Sequence, residues 1–138
     1  MKTLTVQSTL SELEKIRSFL RAYLEGWDIS EEDFFRIELA LVEMCTNIVR
    51  YGYPGGNGDI QVKAWHEDER FYLEIRDSGV PFDPSRIRKP NLKNLANQER
   101  MGGLGIFLAR KLMDGFAYRR ENNQNILTMY KKVRPPAN

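Results

Sequence analysis

Over residues 2–8, Leu4 and Val6 alternate with polar neighbours, the two-residue period of a half-buried strand. Ser11 then offers a helix cap, and Leu13, Ile16, Leu20, Tyr23 and Leu24 recur at spacings of three, four, three and one, marking one face of an amphipathic helix that Gly26 ends. Ser30 and Asp33 have nearly the form of a capping box, and Glu31 and Glu32 sit where a helix dipole favours negative charge. This predicts a second, long helix to about Tyr51. Gly52 to Gly58 carries four glycines and a proline and predicts a loop. Beyond it Ile60, Val62 and Ala64, then Phe71, Leu73 and Ile75, alternate on either side of a charged turn from Glu67 to Glu69, an antiparallel hairpin. From Ser78 to Gly103 the periodicity disappears among prolines, basic residues and asparagines, as expected of a functional lid or a locally disordered loop. Helical spacing returns with Leu104, Leu108 and Leu112. A second hairpin follows, Phe116 to Arg120 and Ile126 to Val133 about a turn Asn122 to Asn125, and Pro135-Pro136 predicts a frayed end.

The length of 138 residues fits one domain spanning 1–138. Lys plus Arg is 21 and Asp plus Glu is 19, a net charge of +2 on a chain that is 41% hydrophobic. That balance describes a soluble globule, neither a disordered acidic tail nor a basic nucleic-acid clamp. The longest apolar runs, such as Leu39 to Val42, fall far short of a membrane span, and Met1 to Val6 lacks the apolar core of a signal peptide. Cys45 is alone, so no internal disulfide forms. The expected compartment is the cytoplasm.

Three clusters carry candidate chemistry. The second helix is apolar on nearly every side from Phe34 to Val49, which predicts a buried helix, and its polar residues Arg36, Glu43, Asn47 and Arg50 are spaced seven, four and three apart in one stripe. A carboxylate and a carboxamide on adjacent turns then face one pocket; a surface pairing of Glu43 with Arg36 or Arg50 accounts for the stripe equally well. The second cluster is Ile75 to Gly79, where a strand runs into Asp77 and Gly79. A strand-end Asp is a common turn former, and it is also placed to accept from a ligand amine, with Gly79 letting backbone come close. The third is Arg100 to Ile106, where Gly102, Gly103 and Gly105 precede an apolar helix. Bare backbone N–H groups at the positive end of a helix dipole suit a phosphate, although a glycine-rich helix start also serves close packing. No Gly-Lys-Ser/Thr follows and no strand precedes, so this is neither a P-loop nor a dinucleotide fingerprint.

The combination of Glu-x-x-x-Asn, Asp-x-Gly, a lid and Gly-Gly-x-Gly is more specific than any part. With the runs Glu43 to Asn47, Tyr51 to Tyr53, Gly102 to Leu108 and Leu112 to Asp114, nearly the whole chain resembles the GHKL ATPase superfamily with its Bergerat fold. Within it the chain looks most like the stand-alone anti-sigma-factor serine kinases of bacteria. The resemblance implies ATP and Mg²⁺ as ligands. It implies Asn47 as the magnesium ligand, Glu43 as the base that activates the attacking hydroxyl, Asp77 as acceptor from the adenine amino group, Gly79 as the glycine beside the base, and Gly103 and Gly105 as lid glycines against the phosphates. Arg100 is then a neutraliser of transferring phosphate, whereas Arg86, Arg88 and Lys89 read first as solvated lid charge. Two positions depart from the family: Tyr51 replaces a usual histidine, and Gln124-Asn125 replaces a late Gly-Thr, leaving Asn125 to hold the water beside adenine. His66 is the only histidine and is expected on the surface at a hairpin turn, which excludes a phospho-accepting helix.

The expected fold is therefore an α/β two-layer sandwich, a mixed, mainly antiparallel sheet with three helices on one face. The expected function is Mg·ATP-dependent phosphorylation of a serine on an anti-sigma-factor antagonist protein, coupled to sequestration of a sigma factor in a partner-switching system. The alternative is an ATP-gated binding module without phosphotransfer, and a third reading is an interaction protein that takes no nucleotide. No direct nucleic-acid partner and no membrane is expected; kinases of this kind often form a homodimer, a point the sequence leaves open. The first helix, with Arg17 and Arg21 between apolar rungs, is the candidate partner face.

Overall fold

The computed structural model describes residues 1–82 and 103–135. Its five strands are β1 (Lys2–Gln7), β2 (Asp59–Glu67), β3 (Arg70–Asp77), β4 (Gly115–Glu121) and β5 (Gln124–Lys132), and its α-helices are α1 (Leu13–Leu24), α2 (Glu31–Asn47) and α3 (Gly103–Leu112). The sheet runs in the order β1-β2-β3-β5-β4. All four pairings are antiparallel, so the sheet has no mixed character among the described residues. The register puts Leu4, Val62, Ile75 and Leu127 in one row and Val6, Ile60, Asp77 and Asn125 in another, on the face that meets the helices. Ile16 and Leu20 of α1, Ile37 and Leu41 of α2, and Ile106 and Ala109 of α3 join Val6, Ile60, Val62, Ile75 and Leu127 in a single buried cluster. Each fully buried aliphatic side chain contributes about 1.5–3 kcal/mol, which fixes the helical layer against the sheet.

Local chemistry explains most of the boundaries. Ser30 caps α2 as its spacing predicts, its Oγ accepting from the Asp33 N–H at 3.0 Å. Ser11 does not cap α1. A 3₁₀ turn, Leu10–Glu12, comes first with Thr9 as its extended lead-in residue, and Thr9 Oγ1 and Ser11 Oγ lie 3.2 Å apart. The two hairpin turns are two residues each, and both need positive φ: Asp68 and Glu69 at 51° and 60°, Asn122 and Asn123 at 52° and 63°. Asparagine tolerates that region, so the expected four-residue turn shrinks to Asn122-Asn123 and places Gln124 and Asn125 inside β5.

Helix α2 is less deeply buried than its composition predicts. Phe35 is 60% exposed, because one side of the helix has no neighbour to cover it among the described residues. The stripe also divides: Arg36 donates from Nη1 to Asp33 Oδ1 at 2.9 Å, not to Glu43. Helix α2 does not run on to Tyr51 as α-helix; Ile48–Gly52 forms one wide π-helical turn. Of the frayed end expected at Pro135-Pro136, Pro136 lies outside the described residues, and the chain just before it is tied down. The Val133 N–H donates to the Glu69 carbonyl at 3.0 Å, and Arg134 bridges to Asp28. His66 lies within β2, exposed but engaged: its Nδ1 is 3.1 Å from Tyr23 Oη, and Trp27 meets its ring edge-on at 5.1 Å. Arg17 is half-buried, and Arg21 pairs with Glu38 at 3.5 Å, so the first helix does not present two free arginines. No helix among the described residues is long and apolar enough to cross a membrane.

Candidate functional site

A cleft of about 250 Å³ opens between α2 and the sheet. Met44, Ile48, Ile75, Val80, Phe82 and Leu127 give it apolar walls, and Asn47, Asp77, Tyr118 and Asn125 place polar atoms on them. Greasy walls with a few convergent polar groups suit a flat heterocycle. Of the residues singled out from sequence, the fold gathers Asn47, Asp77, Gly79 and Asn125 here, although they come from three separate stretches of chain. Glu43 does not line this cleft. It sits one helical turn before Asn47, and its carboxylate lies against Gly105 in the first turn of α3. Arg86, Arg88, Lys89, Arg100 and Gly102 lie outside the described residues; Gly103 opens α3.

Asn47 is 8% exposed, and its Oδ1 is buried with no hydrogen-bond partner among the described residues. Such an acceptor costs about 1–3 kcal/mol to leave unpaired, so its retention in an apolar environment points to a ligand that answers it. A carboxamide oxygen is a hard donor of the kind Mg²⁺ takes, with water and phosphate oxygens completing its shell. The residues present therefore fit a magnesium-bound phosphate tail at Asn47.

Asp77 is 6% exposed at the end of β3. Its Oδ1 accepts from the Gly79 N–H at 2.9 Å and from Asn125 Nδ2 at 3.0 Å. Burial nevertheless holds the carboxyl above the usual carboxylate range, with the two hydrogen bonds and the Arg120 guanidinium opposing. Gly79 has a steric requirement as well as a hydrogen bond: a Cβ there would collide with the Gly52 carbonyl, which itself accepts from the Val80 N–H at 2.8 Å. That carbonyl belongs to the π-helical turn, so the turn and the Asp-x-Gly strand end are docked directly on each other. Single π turns recur at functional sites because they redirect backbone groups that an α-turn would bury in its own ladder. Tyr53 fastens the same junction, donating from its hydroxyl to the Asp59 carbonyl and accepting from the Ser78 N–H, both at 2.7 Å. Cys45, fully buried beside the site, has its thiol pushed up to about 12 by burial and by the nearby Asp77 charge, which makes it unreactive.

Tyr118, Arg120, Phe82 and the π turn escape a reading of the sequence alone. One signal was present: Phe116, Tyr118 and Arg120 occupy alternate positions of β4, and polar residues on the same side as a phenylalanine are out of place unless they meet a polar partner. That partner is Asn125, to which both Tyr118 and Arg120 donate.

The sequence matches the model of the histidine kinase-like ATPase domain over residues 6–131. The serine-protein kinase RsbW of Bacillus cereus strain AH187 is 26% identical over 100 residues, covering 70% of this chain and 62% of the relative, so the match spans less than two thirds of that relative's length. Two solved structures share the fold. The RsbU and RsbW domains of Rv1364c from Mycobacterium tuberculosis superpose with a TM-score of 0.64 at 16% identity, over 99% of this chain and 34% of that one. The SiaB-SiaC complex from Pseudomonas aeruginosa gives 0.55 at 15% identity, over 93% and 88%. With the domain model running nearly end to end and the same sheet-and-helix arrangement in these structures, the chain belongs to the histidine kinase-like ATPase domain family.

Proposed function

We propose that this protein is an ATP-dependent serine kinase that phosphorylates an anti-sigma-factor antagonist and itself holds a sigma factor, with phosphorylation of the antagonist freeing the kinase for the sigma factor. The observation that carries the reading is the unpartnered, buried Oδ1 of Asn47 one turn from a carboxylate that faces a second helix start. Likeness to relatives named serine-protein kinase supports it, as does the aspartate held at the end of the apolar cleft.

In this reading the cleft takes the adenine, with Asp77 accepting from its amino group. Asn47 would hold the magnesium, which would supply neutralisation of phosphate charge. Glu43 accepts the proton of the substrate serine hydroxyl as that oxygen bonds to the γ-phosphorus and the bond to the β-phosphate oxygen breaks, leaving ADP. Gly103 and Gly105 supply the helix start for the phosphates, and the phosphate roles expected of Arg100 and Gly102 fall on residues outside those described. Incubation with γ-labelled ATP and the antagonist encoded beside it, followed by mapping of phosphoserine by mass spectrometry, tests the activity. Label on one antagonist serine supports it, and ATP uptake without any label would mean a nucleotide-gated binding module.

Two substitutions probe the phosphate end. Asn47→Ala is expected not to lower the unfolding free energy of the ligand-free protein, because the oxygen it removes is buried and unpaired among the described residues. The same change is expected to make ATP affinity indifferent to Mg²⁺, which calorimetry with and without chelator checks. Gly105→Ala places a methyl against Glu43 Oε2, the mobile end of a flexible side chain. It should therefore fold with a near-normal melting temperature and bind ATP, yet lose about tenfold or more in phosphotransfer as the carboxylate is turned away.

A further inference from the structure

The Asn125 carboxamide has two N–H donors and one oxygen with two lone pairs, and the fold engages all of them. Nδ2 donates to Asp77 Oδ1 at 3.0 Å and to the Val80 carbonyl at 2.9 Å. Oδ1 accepts from Tyr118 Oη at 2.6 Å, from Arg120 Nη1 at 3.0 Å and from the Phe82 N–H at 3.3 Å. Three donors converging on one atom leave no doubt about which end of the amide is oxygen: a flipped group would set N–H against two N–H groups and an O–H. Arg120 Nη1 also donates to the Gly79 carbonyl at 3.2 Å. One side chain on β5 thus ties together β4, the end of β3 and the segment 79–82, whose Val80 and Phe82 wall the cleft.

We propose that Asn125 is a positioning residue whose task is to aim Asp77: it occupies Oδ1 of that carboxylate together with the Gly79 N–H and leaves Oδ2 as the acceptor for a ligand amino group. This rests on the nucleotide reading above and deepens it. It also replaces the water-holding role expected of Asn125, because its donors and acceptor are already spent on protein groups. Tyr118 and Arg120 act one step further back, fixing the amide that fixes the carboxylate. The consequence is selectivity for a base that presents an amino group, because an acceptor oxygen held at one angle in an apolar cleft has nothing to offer a carbonyl at the same place.

The test has a ligand-free arm and a ligand arm. The groups that face Asp77 are Arg120 from β4, Cys45 from α2 and Tyr53 from the junction after the π turn. Removing the Asn125 donor with those retained should raise the Asp77 carboxyl further. NMR titration of that carboxyl in the nucleotide-free protein is expected to find it titrating at higher pH in Asn125→Ala than in wild type; an unchanged titration overturns the proposal. In calorimetry Asn125→Ala should weaken Mg·ATP about tenfold in the wild-type background and less than about twofold in the Asp77→Asn background. Equal losses in both would mean that Asn125 acts apart from Asp77 and would overturn it.

Asn125→Asp guards against a folding defect, since it keeps an acceptor for all three donors. It sets two carboxylates side by side, so its ATP affinity should rise on acidification from about pH 8 to about pH 6 as the pair takes up a shared proton, unlike wild type. A wild-type-like profile contradicts the proposal. Should wild-type protein take up no ATP, the nucleotide reading fails, and the ligand-free titration alone decides the role of Asn125.

Discussion

Glu43→Ala is expected to bind Mg·ATP with wild-type affinity and to transfer phosphate about 10²–10⁴-fold more slowly, the usual range for loss of a general base. The split between binding and chemistry follows from position. Asn47 and Asp77 line the cleft, whereas Glu43 lies outside its lining with its carboxylate at the start of α3. A carboxylate beside anionic phosphates contributes little to ground-state affinity; its use lies in taking a proton from the incoming hydroxyl. Single-turnover transfer to the antagonist, compared with calorimetry on the same protein, separates the two effects. Wild-type transfer rates in Glu43→Ala would assign the base elsewhere, and loss of ATP binding would make Glu43 part of the nucleotide pocket.

Asp77→Asn should lose ATP about tenfold to a hundredfold and lose its preference for adenine over guanine, while the ligand-free protein becomes no less stable. The amide oxygen still accepts from the Gly79 N–H and Asn125 Nδ2, so both hydrogen bonds survive. Its N–H₂ then meets the donor of the base. The stability side follows from linkage. Burial raises the folded-state pKa of Asp77, so between the ordinary carboxylate range and that raised value the folded protein binds more protons than the unfolded one. Stability from this group is therefore present below the ordinary range and is lost as pH rises through the raised value. At neutral pH the ionised Asp77 is a cost, which Asp77→Asn removes. Melting temperatures across pH 4–8 check the sign: the gap between the substituted protein and wild type should widen in favour of Asp77→Asn as pH rises. A substituted protein that is markedly less stable at neutral pH would make Asp77 a structural residue first.

The contrast between what the sequence makes legible and what only the fold supplies is physical. Within one element the signals are periodic and local. Ser30 announces its cap, Leu4 and Val6 their strand, and Glu43 and Asn47 share a helix face because four residues make about one turn. Glycine requirements at Gly79 and Gly105 were also visible as residues, although their causes lie far away: a backbone carbonyl in a π turn and a carboxylate on another helix. The π turn at Ile48–Gly52 is not written in any propensity, since its residues suit an α-helix or a strand equally well. It forms where Gly52 must reach the Val80 N–H. Likewise the network on Asn125 joins residues from three strand and loop segments up to 48 positions apart, and spacing along the chain carries no trace of it. The turn narrows from the expected four residues to Asn122-Asn123, because four polar residues in a row hide which pair adopts positive φ.

In the proposed function, the buried amide oxygen of Asn47 and the buried carboxylate of Asp77, both lining one cleft, hold a metal-bound adenine nucleotide. Titration calorimetry of ATP into nucleotide-free, folded protein, in Mg²⁺ and again in chelator, tests it most directly. The account predicts saturable heat with one site per chain in Mg²⁺ and a clear loss of affinity in chelator. Folded protein that gives no heat with Mg·ATP contradicts it.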